Sequence, residues 1–208
     1  MTEPKQERAT KTRAMILRAA AEVFDECGYS GASISKIMHR AGVTQGSMYF
    51  HFKSKEGLAH AVMASQQEYV ELPGGRDGLQ RLIDSTFHIA DELSSNVLFR
   101  ASVRLAVEQG ELGASDDTAY QEWVQQFHRQ LAAAKEQGEL RDDVDALEFA
   151  TVLVGAYTGT QIFSNAATHH EDLPERISLL WRYFLPALTD ADTRRSLRIS
   201  PAPKSAAA

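Results

Sequence analysis

The stretch from Gly28 to Leu58, GYSGASISKIMHRAGVTQGSMYFHFKSKEGL, holds two short helical patterns that meet at Gly42, and it constrains the fold more tightly than any other part of the chain. Ser33 precedes Ile34, Ile37 and Met38, a one-sided apolar pattern at helical spacing, so its hydroxyl is placed to cap the free amides of a short helix. That helix is expected to stop near Ala41. Gly42 supplies the backbone freedom for a tight turn, Val43 can tuck under both helices, and Thr44 caps the second helix. The pattern is a helix-turn-helix.

In such a motif the second helix lies in the major groove with its first residues at base edges, while the first helix crosses the phosphate backbone. Here the second helix begins Thr44, Gln45, Gly46, Ser47. Gln45 can pair with an adenine edge or reach a phosphate, Gly46 lets the backbone come close, and Tyr49 and His51 carry polar tips on rigid rings. Ser33 and Ser35 on the first helix, Lys55 after the motif, and Lys11, Thr12 and Arg13 at the start of a long preceding helix complete the expected DNA-facing set. Met48, Phe50 and Phe52 read as packing residues. Charge supports the assignment: residues 1–56 hold nine Lys and Arg against six Asp and Glu, whereas the rest of the chain holds 13 against 22. A basic end on an acidic body favours a nucleic-acid partner for that end.

The same residues carry a family resemblance. TKTRAMILRAAAEVFDECGYSGASISKIMHRAGVTQGSMYFHFKSKEGL resembles the N-terminal domain of TetR-type bacterial repressors, across the AAAEVFDECGY helix, the AGVT turn and the YFHFKSKEGL exit.

At 208 residues and 43% apolar composition, the chain is long enough for one or two small domains with a real core. Its single Cys, Cys27, cannot form an internal bridge; it extends the stripe of Ile16, Ala20, Val23 and Phe24 and reads as a buried small hydrophobe. No run approaches the roughly eighteen apolar residues of a membrane span, and MTEPKQERATKTR lacks the apolar core of a signal peptide. A cytoplasmic protein without a membrane partner is expected. Without sustained alternating β-branched runs, the chain reads all-α, with about nine helices. The expected division is a three-helix helix-turn-helix domain over 1–53, a helical-bundle ligand-binding and dimerisation domain over 54–200, and a disordered tail over 201–208.

A helix is expected from about Ser54 to Tyr69, broken by LPGGRDG at 72–78. Leu79, Leu82, Ile83, Phe87 and Ala90 mark the next helix, and Asn96 caps another that runs to about Gln109. Asp116 or Asp117 opens a seventh helix with Trp123, Val124, Phe127 and Leu131 on one face. The eighth, over 144–167, is apolar nearly all round, so it should be covered on several sides. The ninth begins at a capping-box-like Asp172 to Glu175, carries Ile177, Leu180, Trp181, Phe184 and Leu188, and ends or kinks at Pro186. One recognition helix covers few bases and a symmetric dimer doubles the contact, so Tyr157, Ile177, Leu180, Trp181 and Phe184 are expected at a two-fold homodimer interface.

Catalytic and metal patterns are missing. The seven His residues are scattered without HxxxH or HExxH spacing, and no GxSxG, phosphate-binding glycine loop or CxxC is present. No cofactor, metal or catalytic residue is expected, which leaves an enzyme as a minor alternative. The body reads instead as a sensor, with Phe87, Phe99, Trp123, Phe127 and Val152 as apolar walls and Gln66 and Thr160 as polar groups of a small-molecule pocket.

NVLFRASVRLAVEQ, YQEWVQQF, AAAKEQGEL and LVGAYTGTQIFS resemble the ligand domain of γ-butyrolactone autoregulator receptors, TetR-type repressors of antibiotic production in filamentous bacteria. The resemblance implies a dimeric repressor on a pseudo-palindromic operator. It also implies that Trp123 packs on the ring of a small hydrophobic signal whose binding releases the DNA. Two departures stand out. Gln45 occupies a position where Lys is common in the family, and Phe127 and Ala156 stand where polar groups near a lactone are expected. A butenolide, a furan or a pathway antibiotic therefore stays open as the signal. The alternative regulator is a TetR-type control of a multidrug efflux pump that answers toxic hydrophobic compounds.

Overall fold

A computed structural model describes residues 3–65, 74–108 and 117–202. Among the described residues ten helices and no strand occur: α1 Glu3–Gly31, α2 Ile34–Ala41, α3 Gln45–His51, α4 Lys55–Ala64, α5 Leu79–Ser95, α6 Val97–Val107, α7 Thr118–Glu136, α8 Ala146–Thr168, α9 Leu173–Leu188 and α10 Ala191–Ser196. The expected continuation of the fourth helix to Tyr69, the end of the sixth at Gln109, the Asp116 cap and most of the tail lie outside the described residues. The tenth helix is the one that periodicity misses. It is a single capped turn, opened by the Asp190 carboxylate accepting from the Thr193 amide at 2.7 Å, with no buried residue to give it a pattern.

The helices form two compact units, α1–α4 with α6 and α5 with α7–α10. In the first, Ile16, Ala20, Val23 and Phe24 of α1 recur at helical spacing and are buried against Ile37 of α2, Met48 of α3, Leu58 and Val62 of α4, and Leu105 of α6. Gly28 interrupts α1 with φ 69°, a left-handed backbone that glycine adopts without a Cβ clash. A Cβ there would lie 2.9 Å from the Arg104 guanidinium and the Glu108 carboxylate, so the glycine also admits α6. Arg104 donates to Glu108 at 2.8 Å, Glu108 accepts from the Tyr29 amide at 2.8 Å, and Arg100 pairs with Asp25 at 2.9 Å.

The second unit is built around the inner faces of α5, α7, α8 and α9. Leu82 and Ile83, Phe127 and Leu131, Leu153, and Ile177 and Trp181 are all nearly or fully buried. Thr86 sits at its centre: its hydroxyl accepts from the Trp181 indole at 2.9 Å and its carbonyl from the Tyr157 hydroxyl at 3.1 Å. Both large rings thereby bury their apolar bodies and satisfy their polar tips. Burial also raises the Tyr157 phenol well above its ordinary range.

Three expectations are corrected here. Asp172 makes no capping-box bond; its carboxylate instead accepts from Arg176, Ser164 and Thr168, contacts at 2.6–2.8 Å, which hold it below the usual carboxylate range. Pro186 falls in the last turn of α9, which continues to Leu188. Cys27 is only half-buried, with its Sγ 4.0 Å from the Lys36 ammonium, because it stands at the α1–α2 surface rather than under it.

Candidate nucleic-acid interface and effector site

The helix-turn-helix is assembled by its own caps. Ser33 is extended (φ −136°) and its hydroxyl accepts from the Lys36 amide at 3.2 Å. Gly42 (φ 64°) closes α2, with its amide on His39 and the Val43 amide on Met38, a Schellman-type end. Thr44 then opens α3 by accepting from the Ser47 amide at 3.3 Å. Every turn of the motif therefore uses side-chain or glycine chemistry within a few residues, each cap worth about 1 kcal/mol.

Once α3 is pinned through Met48, its remaining residues are sorted by side. Thr44, Gln45, Gly46 and Tyr49 are exposed, and Ser47 and His51 are half-buried. Ser35 is exposed on α2. Along α1, Lys11 is exposed and paired with Glu7 at 2.6 Å, a solvated pair of small energy. Thr12 donates to the Arg8 carbonyl at 2.9 Å, and the Arg13 guanidinium lies 5.2 Å from the Phe52 ring centroid. These residues leave a polar, partly cationic surface beside α3.

Two residues depart from expectation. Lys55 is half-buried and donates to the carbonyls of Tyr29 at 2.7 Å and Ala32 at 3.0 Å, with its ammonium 4.1 Å from the Tyr29 ring centroid. It fastens the start of α4 to the carbonyls at the end of α1 and just beyond it, instead of standing free for phosphate. Phe50, expected to pack, is 80% exposed; burial of Met48 and Phe52 on either side directs it to solvent.

In the second unit, Trp123 is half-buried and Phe127 buried on α7, with ring centroids 5.9 Å apart and planes inclined at 57°. Phe87 is buried on α5 and Thr160 half-buried on α8, its hydroxyl bonded back to Ala156 at 2.7 Å. Phe99 is fully buried on α6, which belongs to the first unit. Val152 is 52% exposed on α8, so it is not an interior wall of this unit. Gln66 lies outside the described residues.

The outer faces of α8 and α9 differ from the expected interface. Tyr157, Ile177 and Trp181 are enclosed by their own chain and have no surface to offer a partner. Leu180 and Phe184 are half-buried, Phe184 edge-on to Phe149 at 5.5 Å. The large apolar groups left open are Leu147, Val152, Ile162 and Phe163 on α8 and Leu179 and Tyr183 on α9. The Arg176 guanidinium covers one face of Phe163 at 4.1 Å. The signal for this face was the all-round apolar pattern of α8, but its direction depends on which side α7 and α9 occupy.

Residues 16–62 match the bacterial regulatory proteins of the tetR family, and residues 76–190 match the tetracyclin repressor-like C-terminal domain. The chain belongs to the TetR family. It is 38% identical to the A-factor receptor protein of Streptomyces griseus over 184 residues, 88% of this chain and 66% of that receptor, so it spans slightly under two thirds of that relative's length. Among solved structures, full-length TylP, a TetR regulator from Streptomyces fradiae, is 41% identical with a TM-score of 0.77 and 93% of each chain covered. A γ-butyrolactone receptor described as ArpA-like is 31% identical with a TM-score of 0.76, covering 91% of this chain and 94% of that one. This TetR-family regulator thus shares both its head and its body with A-factor and γ-butyrolactone receptor relatives, and the efflux-pump alternative is less supported. Among the described residues, no group of three or more His, Cys, Asp or Glu is arranged to hold a metal, and no helix is long and apolar enough to cross a membrane.

Proposed function

We propose that the chain is a cytoplasmic, non-enzymatic repressor. It binds a pseudo-palindromic operator as a homodimer and is released by a small hydrophobic signal of the γ-butyrolactone class or a relative of it. The observation that carries the reading is α3: a capped helix held by a buried Met48, with Gln45, Gly46 and Tyr49 turned outward. Residues 1–53 are the DNA-reading part and the remainder the sensing and dimerising part. Lys11, Thr12, Arg13, Ser35, Tyr49 and His51 position the backbone, and Gln45 reads a base. Two heads would span half-sites about one helical turn, roughly 34–36 Å, apart.

The dimer face is the open apolar side of α8 and α9, with Val152, Phe163, Leu179 and Tyr183. Gly155 and Gly159 between them would meet nothing within 4 Å if given a Cβ, which supports close approach of a second α8. The signal is held against Trp123, with Phe87, Phe127 and Thr160 as further contacts. Release requires only that the signal bind the DNA-incompetent conformer better; moving the population by four decades takes about 5.5 kcal/mol of differential affinity.

Fluorescence anisotropy of an operator duplex, titrated with a synthetic γ-butyrolactone, tests the reading. The duplex is expected to be bound and then released, while Trp123→Ala binds the duplex and does not let go. Release of Trp123→Ala at the wild-type lactone concentration would remove the pocket assignment. A lactone recovered chemically altered would point to an enzyme.

A further inference from the structure

The recognition helix presents one side chain that neither capping nor packing explains. Phe50 is 80% exposed, whereas its apolar neighbours Met48 and Phe52 are buried. Its ring meets His51 edge-on, with centroids 5.0 Å apart and planes at 86°, a geometry that braces the phenyl ring against a half-buried neighbour. Gln45, Gly46 and Tyr49 are exposed with it. Gly46 stands one turn before Phe50, and a Cβ there would meet nothing within 4 Å. Glycine inside a helix costs about 1 kcal/mol relative to alanine, and no contact within the chain asks for it here. The result is an open shelf beside a fixed, apolar ring.

A phenyl ring offers no donor to a phosphate and no hydrogen bond to the polar edge of a base. The major groove carries one apolar group, the C5-methyl of thymine. We propose that Phe50 is a specificity-determining residue that packs on the C5-methyl group of one thymine in each operator half-site. The inference deepens the operator-reading function and rests on it. Thymine is favoured because ring and methyl shed water together. Cytosine at the same place lacks the methyl and brings an N4 donor that the phenyl ring leaves unsatisfied. Gly46 admits the base edge to the shelf, so Phe50 and Gln45 divide the reading between an apolar and a polar contact.

The test removes single methyl groups from the DNA. A duplex is selected by the full-length wild-type protein from a random library, and each thymidine in turn is replaced by deoxyuridine. Binding is measured by anisotropy at one salt concentration for wild type and Phe50→Ala. Wild type is expected to lose about fourfold per half-site at one symmetric thymine, the factor for burying one methyl-sized group. Phe50→Ala should bind the thymidine and deoxyuridine duplexes equally at that position, with an unchanged salt slope because no charge is lost. Indifference of wild type to every replacement, or a loss that persists in Phe50→Ala, overturns the role of Phe50 while operator reading stands. A wild-type protein that enriches no sequence removes operator reading and the Phe50 contact together. Circular dichroism accompanies each variant: retained helix in Phe50→Ala fits an exposed ring, and unfolding would make Phe50 a packing residue and end the proposal.

Discussion

The helix-turn-helix and the buried centre of the second unit join their polar groups over very different distances along the chain. In the head, Ser33, Thr44 and Ser54 each accept from an amide three residues further on. In the body, Thr86 takes the Tyr157 hydroxyl across 71 positions and the Trp181 indole across 95. The caps of the helix-turn-helix are therefore local decisions. The centre of the body rests on distant ones, in which a side chain's role depends on what the other helices cover. The difference explains why a pattern of capping residues announces the DNA-reading surface, whereas a pattern of aromatics does not say which ring is core, pocket or interface.

The sharpest way to break this comparison is to exchange an inner residue for an outer one on the same helix. Trp181→Ala, at a fully buried site, is expected to cost about 3–5 kcal/mol of stability in urea unfolding at fixed protein concentration. Tyr183→Ala, two residues on and 78% exposed, should leave the fold intact and weaken self-association in a sedimentation dilution series. If Trp181→Ala dissociated the proposed dimer without loss of stability, the inner and outer faces of α9 would have to be exchanged.

A smaller effect is expected where the head itself relies on distant residues. Glu108→Ala removes the acceptor of the Tyr29 amide and of Arg104 Nε at the Gly28 break, while Arg104 keeps its bond to the Asp25 carbonyl. Charge-assisted bonds of this kind contribute about 1.5–3 kcal/mol, less here because the groups are partly solvated. The loss should appear as faster amide exchange at Tyr29 and at the end of α1. Exchange unchanged from wild type would mean that α6 does not hold that end.

Local caps come next. Thr44→Ala should cost about 1 kcal/mol and Thr44→Ser much less, read from thermal melts, because only the hydroxyl acceptor matters. An equal loss for both would assign the effect to the methyl group of Thr44 rather than to capping.

The smallest expected effect is a titration. Arg176 first, then Ser164 and Thr168, hold the Asp172 carboxyl below its ordinary range. A carboxylate depressed in the folded state stabilises above its unfolded pKa, about 3.9, and that contribution is lost as pH falls through the lower folded value. Melting temperatures should therefore fall with acid below about pH 4, and Asp172→Asn should flatten that part of the profile. A wild-type profile flat to pH 2.5 would show that the cluster adds nothing to the fold.

Much of the head was legible from its residues. Ser33, Gly42 and Thr44 act through groups a few positions away, and those positions are printed in the chain. Phe50 was not legible, because an apolar residue between Met48 and Phe52 looks like core until the rotation of α3 is known. Lys55 was misread for a related reason: a lysine after a recognition helix suggests phosphate, and only the fold brings the carbonyls of Tyr29 and Ala32 to its ammonium. In the body, the apolar stripes of α5, α7 and α9 were visible, while the burial of Tyr157, Ile177 and Trp181 within one chain was not.

Taken by itself, the sequence determined the helical class, the capped turn at Gly42 and the basic character of the N-terminal end, since these rest on backbone preference, short-range hydrogen bonds and composition. The tertiary structure alone decided which faces of α3, α8 and α9 meet solvent, and made Thr86 the anchor of two aromatic rings. Helical periodicity tells which residues share a face, and only the neighbouring helices determine what that face touches.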